Sequence, residues 1–211
     1  MSGTSALVFC GGGPTRIPIG EADLVIAADS GVIECHRLGI HVDVLVGDLD
    51  SALPEQVAQV ERAGGIVERH PVDKDATDLE LALHAALDRG ASEVQVAGGD
   101  AGRFDHLLGN ALVLASPAFA GMRVDAVFGA ARLHVVRSRR EFDGDIGELV
   151  SLFALGGPAR GVRTSGLRWV LDGQDLEPGS TLGISNGFAE PRAGVEAAGG
   201  VVLVARPGVA S

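Results

Sequence analysis

The aliphatic run Val44-Leu45-Val46 leads into Gly47-Asp48-Leu49-Asp50-Ser51, which sets two carboxylates two residues apart just behind a glycine. If strand geometry persists, both side chains point the same way, because strand side chains alternate with a period of two. The carboxyl end of a strand in an open α/β sheet is where ligands bind. Two carboxylates held there repel each other unless a cation sits between them, and hard oxygen ligands suit Mg²⁺. The other reading of these residues is a solvated turn with a helix cap.

A second cluster, Asp73-Lys74-Asp75-Ala76-Thr77-Asp78, puts three more carboxylates at the start of a helical segment. Asp and Thr are preferred helix caps and suit the helix dipole. One or two acceptors would suffice for that, so the excess points beyond capping. Lys74 is the only lysine in the chain. A general preference for arginine accounts for that, while its place among the carboxylates allows a phosphate-facing role. The third signal, Gly98-Gly99-Asp100-Ala101-Gly102-Arg103-Phe104-Asp105-His106, follows the run Glu93 to Ala97 and opens an apolar helix near Leu107. Glycines at such a turn let backbone approach phosphate, and Arg103 adds a cationic fork. The segment is neither a Walker A loop nor a dinucleotide fingerprint. Gly11-Gly12-Gly13-Pro14 is similarly permissive, and His106 reads as a helix-start histidine rather than a base.

These residues must be positioned by short elements. Aliphatic runs at Ala6 to Cys10, Leu24 to Ala27, Val42 to Val46 and Val94 to Ala97 alternate with helical segments at Glu55 to Ala63 and Leu79 to Leu87. That alternation predicts a mostly parallel sheet flanked by helices. Thr77-Asp78-Leu79-Glu80 has the form of a capping box for the second helix. The uncharged stretch Leu107 to Met122 is too short and polar to span a membrane and is expected to be a buried helix and loop. After about residue 140, Gly and Pro punctuate short runs at Leu149 to Leu155, Arg163 to Leu171, Thr181 to Ile184 and Val201 to Ala205. They predict a second, smaller all-β domain, with the division at 1–138 and 139–211.

The 211 residues are enough for folding to bury roughly 70 % of the unfolded surface. With 46 % hydrophobic and 21 % charged residues the chain is not disordered. A net charge of -11, one Trp and no Tyr disfavour nucleic acid, although a divalent cation would still allow an acidic protein to handle phosphates. Cys10 and Cys35 lack the spacing of a zinc or redox pair and read as buried thiols of a reducing cytoplasm.

Taken in order, Ala28-Asp29-Ser30-Gly31, Gly47-Asp48-Leu49-Asp50-Ser51, Asp73-Lys74-Asp75-Ala76-Thr77-Asp78, Gly102-Arg103-Phe104-Asp105-His106, Ser165-Gly166-Leu167-Arg168-Trp169 and Ser185-Asn186 resemble the thiamine pyrophosphokinase family across nearly the whole chain. Two positions depart from the family's usual pattern: Ser30 intervenes in an Asp-Gly-Gly, and Gly187 follows where Ser-Asn-Glu is usual. The resemblance implies an α/β domain that binds ATP and metal, a β-sandwich that binds thiamine, and a homodimer with sites shared between subunits. It implies transfer of the diphosphoryl group of ATP to the hydroxyl of thiamine. By that correspondence Asp48, Asp50 and Asp78 hold Mg²⁺, with Asp75 and Arg103 assisting catalysis. Asp29, Lys74, Thr77, Arg103 and Asp105 would surround the nucleotide, and Trp169, Ser185 and Asn186 the thiamine. Trp169 is otherwise a core aromatic of the β domain. The rival functions are a haloacid-dehalogenase-type Mg²⁺ phosphatase, whose pattern wants Thr or Val where Ala52 stands, and a thiamine or nucleotide sensor without turnover.

Overall fold

The computed structural model describes residues 3–208. The chain forms two units, one running to Val113 and including Gly121–Gly129, the other comprising Leu114–Ala120 and the chain from Ala130 onward.

The first unit contains β1 (Thr4–Phe9), β2 (Leu24–Ala28), α1 (Gly31–Leu38), β3 (Val44–Gly47), α2 (Pro54–Arg62), β4 (Ile66–Arg69), α3 (Asp78–Asp88), β5 (Ala91–Gly98), α4 (Phe104–Val113) and β6 (Arg123–Phe128). Its strands lie in the order β6-β5-β1-β2-β3-β4, every pair parallel. From β1 the chain proceeds outward to β4 and then returns to place β5 on the other side of β1. That reversal opens a crevice at the strands' carboxyl ends. Leu7, Phe9, Ala27, Leu45 and Ala97 form a core with Val32 and Cys35 of α1 and Val57 and Val60 of α2. Helix α3 packs on β1, β2, β3 and β5, burying Leu79, Ala82, Leu83 and Ala86. Its start follows the expected cap, with Thr77 Oγ1 accepting from the Glu80 N–H at 3.2 Å.

Helix α4 departs from expectation. It buries none of its residues, and Phe104, Leu108 and Leu112 are exposed at four-residue intervals. The buried apolar residues of the stretch come after it, at Leu114, Ala115, Phe119 and Met122. Three of its other residues, His106, Gly109 and Asn110, line a cleft.

The second unit contains β7 (Ala131–Val136), β8 (Arg139–Asp143), β9 (Leu149–Ala154), β10 (Ala159–Ser165), β11 (Asp172–Leu176), β12 (Asn186–Gly187), β13 (Arg192–Glu196) and β14 (Val202–Arg206). Antiparallel pairing gives the orders β12-β9-β14-β7 and β11-β10-β13-β8. Val150, Leu152, Val202 and Val204 from the first sheet meet Phe142, Val162, Leu176 and Val195 from the second in one core, a β-sandwich. The continuous part of the unit starts at Ala130, earlier than residue 139, because β7 pairs with β14, and Leu114–Ala120 also belongs to it. Two expected strand runs change character. Thr181 to Ile184 is a turn, closed by the Ile184 N–H on the Thr181 carbonyl at 3.1 Å. The run from Arg163 leaves the sheet after Ser165, and residues 166–171 make an excursion before β11. No helix among the described residues is long and apolar enough to cross a membrane.

Candidate active site

The acidic site is built where neighbouring parallel strands end. Asp29 follows β2 directly and Asp48 follows β3 directly, and because these strands pair, with Ala28 opposite Val46, the two aspartates leave the sheet from neighbouring strand ends. Leu49 buries its side chain in the core beneath, with a left-handed φ of 61°. Asp48 and Asp50, on either side of it, each offer an oxygen that lies with one from Asp29 inside a span of 4.8 Å. Gly47 makes this possible. Its φ is 144°, and a Cβ there would stand 2.8 Å from Asp78 Oδ1 and 3.2 Å from Asp29 Cβ. Among the described residues, the non-glycine positions with positive φ are Asp29, Leu49 and Ser185, each within or between the residues singled out for chemistry. Backbone strain of this kind concentrates at functional sites because packing must hold it in place.

Asp29 is 8 % exposed, and its Oδ1 has no hydrogen-bond partner among the described residues. Burial raises its pKa, opposed by hydrogen bonds from Ser30 and Ser51 and reinforced by the charge of Asp78. A buried carboxylate oxygen without a donor is costly unless a cation completes it. Three convergent carboxylates, one of them so orphaned, are a donor set that fits a hard divalent ion. Asp78 lies beside this group rather than inside the 4.8 Å span. Lys74 joins it to Asp48: Nζ donates to Asp48 Oδ2 at 2.8 Å and to Asp78 Oδ1 at 2.7 Å. The ammonium's hydrogen bond holds the pKa of Asp48 below the usual carboxylate range. Burial works against the charge on Lys74, but the two carboxylates outweigh it and raise its pKa. Asp75 and Thr77 are exposed in the segment leading to α3.

Beside the carboxylates lies a cleft of about 240 Å³, lined in part by Asp29, Ser30, Thr77, Asp78, Asp105 and His106. A second hollow of about 170 Å³ shares Gly11, His106 and Asn110 with it and reaches Gly99, Gly102 and Arg103. The two glycine turns interlock here. The Ala101 N–H donates to the Gly12 carbonyl at 3.1 Å, and a Cβ on Gly99 would lie 1.8 Å from that same oxygen. Arg103 and Asp105 are exposed and paired with each other, Nε to Oδ1 at 3.1 Å. Cys10 and Asn110 also line the cleft, although nothing in the sequence singled them out. The partner role of Asp29 in the acidic trio was open to sequence reasoning, since it ends one aliphatic run as Asp48 ends the next. Both thiols are buried, which pushes Cys10 and Cys35 up to about 12.

In the second unit, Trp169 is 55 % exposed and so does not belong to the core. The guanidinium of Arg168 lies 4.7 Å from its ring centroid, so the indole face already takes a cation. The excursion that carries it is pinched at its base, where Thr164 N donates to the Leu171 carbonyl at 2.9 Å and Leu171 N to Thr164 Oγ1 at 2.8 Å. Asn186, 2 % exposed, clamps it further: Oδ1 accepts from the Trp169 N–H at 3.0 Å and Nδ2 donates to the Trp169 carbonyl at 2.7 Å. Ser185 is exposed, with its N–H on Ser151 Oγ at 3.1 Å.

Comparison with known proteins covers both units. Residues 18–126 match the family model described as thiamin pyrophosphokinase, catalytic domain, and residues 133–202 match thiamin pyrophosphokinase, vitamin B1 binding domain. The chain is 26 % identical over 189 residues to thiamine pyrophosphokinase of Bacillus subtilis, covering 88 % of each chain. It is 28 % identical over 193 residues to thiamine pyrophosphokinase 1 of Oryza sativa subsp. japonica, covering 85 % of this chain and 70 % of that one. The crystal structure of the Bacillus subtilis protein superposes with a TM-score of 0.82 at 24 % identity, covering 98 % of this chain and 100 % of that one.

Proposed function

The chain belongs to the thiamine pyrophosphokinase family, and from that premise we propose that it makes thiamine diphosphate and AMP from thiamine and ATP. The thiamine hydroxyl oxygen forms a bond to the β-phosphorus. The bond from that phosphorus to the α,β-bridging oxygen breaks, that oxygen leaves with AMP, and the hydroxyl proton is released. Such a transfer depends on in-line placement and charge neutralisation more than on covalent catalysis.

The observation that carries the reading is the convergence of Asp29, Asp48 and Asp50 beside the cleft. In this reading Asp48, Asp50 and Asp78 hold Mg²⁺, and the orphaned oxygen of Asp29 extends that set. The ion supplies neutralisation of phosphate charge. Asp75 supports the acidic loop. Thr77, Lys74 and Asp105 face the nucleotide. Arg103 exchanges Asp105 for a phosphate oxygen, a change its exposure permits. Thiamine is itself a cation, and the face of Trp169 suits it as it suits Arg168. Asn186 acts by holding Trp169, and Ser185 offers a hydroxyl nearby in sequence. We assign the first unit to ATP and metal and the second to thiamine, and place the protein in the cytoplasm as a homodimer whose sites draw on both subunits.

The test is chromatography of products from ATP, Mg²⁺ and thiamine. AMP and thiamine diphosphate in equal amounts are expected. Inorganic phosphate without AMP would mean a phosphatase, and one bound equivalent without turnover would mean a sensor.

A further inference from the structure

Asp48 belongs to two constellations at once. One of its oxygens lies in the 4.8 Å span with Asp29 and Asp50, and its Oδ2 is held at 2.8 Å by Lys74, whose other bond goes to Asp78 at 2.7 Å. The lysine side chain is only 13 % exposed, and it brings one positive charge to four carboxylates. A divalent cation among these carboxylates would compete with the ammonium for the electrons of Asp48 and repel it at short range. A four-carbon stem lets the ammonium move without moving the backbone.

We infer that Lys74 is an exchangeable counter-ion of the acidic site. It neutralises Asp48 and Asp78 while no divalent cation is bound, and it releases Asp48 when the cation enters. The freed ammonium keeps its charge and turns to the phosphate oxygens that accompany the metal. Lys74 is thereby a positioning residue that ties cation entry to nucleotide entry. This rests on the metal reading given above and adds a direction to it: the lysine weakens cation binding to the empty site.

The test uses Mn²⁺ as the probe, followed by electron paramagnetic resonance on the full chain at low ionic strength without nucleotide. Lys74→Met should bind Mn²⁺ about tenfold more tightly than the unsubstituted protein, and Lys74→Arg, which keeps the charge, should recover most of that difference. A lysine that only ties the loop together predicts the reverse, because loose carboxylates chelate poorly, so equal or weaker binding by Lys74→Met overturns the inference. Lys74 is the only lysine, so protein labelled with ¹³C-lysine has a single Cε resonance to follow. That resonance should shift saturably with added Mg²⁺. If it stays still in protein that binds Mn²⁺, the inference fails even where Lys74→Met does not fold, while the metal reading stands. Failure of every form to bind Mn²⁺ overturns both.

Discussion

Asp50 is exposed, and its carboxylate is engaged by the Ser51 hydroxyl at 2.9 Å. Asp50→Ala therefore removes a candidate ligand without opening a cavity, and it relieves repulsion with Asp29 and Asp48. Transfer should be abolished while the free energy of unfolding stays within about 0.5 kcal/mol of the original. Near-normal turnover at limiting Mg²⁺ would remove Asp50 from the metal set. Trp169 poses the complementary question, because its exposed ring has no core role to lose. Trp169→Ala should raise the KM for thiamine about tenfold, the worth of a lost cation–π contact of about 1 to 2 kcal/mol, and leave that for ATP near its original value. Equal weakening of both substrates would place Trp169 outside the thiamine site. At this scale the sequence was informative about residue types and poor about partners. Asp29 was legible as a strand-end carboxylate, but its convergence with Asp50 required the pairing of β2 with β3 and the left-handed turn at Leu49.

Among the elements, β9 and β14 lie next to each other in the sandwich and are tied across their ends by Glu148 and Arg206. Nε and Nη2 of Arg206 meet the two carboxylate oxygens at 2.8 and 2.7 Å, and the guanidinium also covers the ring of Phe188 at 5.2 Å. The hydrogen bonds from Arg206 hold Glu148 below its usual pKa, against the opposing effect of burial. A depressed carboxylate contributes stability that is present above its unfolded value, ~4.3, and is lost as pH falls through the folded value. Glu148→Gln should thus cost about 1 to 3 kcal/mol at neutral pH and progressively less below about pH 4. Denaturant unfolding at pH 7 and pH 3 measures this, and a cost independent of pH would show that packing, not charge, is the contribution. Helix α3 was legible from its cap and its leucine spacing. The exposed face of α4 was not, because apolar spacing is the same whether the face it marks is covered or left open.

At the scale of the whole molecule, the proposed homodimer brings the acidic residues of one subunit to the β domain of the other. Asp50→Ala and Trp169→Ala would then be defective in different halves of each site. Unfolded and refolded together, they should form mixed dimers with one site carrying both lesions and one carrying neither. Random pairing makes about half the dimers mixed, each with one sound site of two, so roughly a quarter of the original activity is expected at subsaturating thiamine. Activity equal only to the average of the two variants, in a sample shown to contain mixed dimers, would mean that each site is built within one chain. The chemistry assigned to Asp48, Asp50 and Asp78 would be unaffected by that outcome.

The sequence by itself determined the two-part architecture, since a period of near-continuous aliphatic runs between helices cannot fold like short runs broken by Gly and Pro. It also singled out the segments to which the chemistry is assigned, because carboxylates and glycines at the ends of aliphatic runs are visible without knowing which strands pair. Tertiary structure decided which of those residues meet. Asp29 and Asp48 are 19 positions apart in the chain and become neighbours only because β2 pairs with β3. Lys74 reaches across 26 positions to Asp48, and Asn186 across 17 to the backbone of Trp169. Spacing along a chain constrains side chains within one strand or one helical turn, whereas contacts of this length are set by which strands pair and where packing bends the backbone.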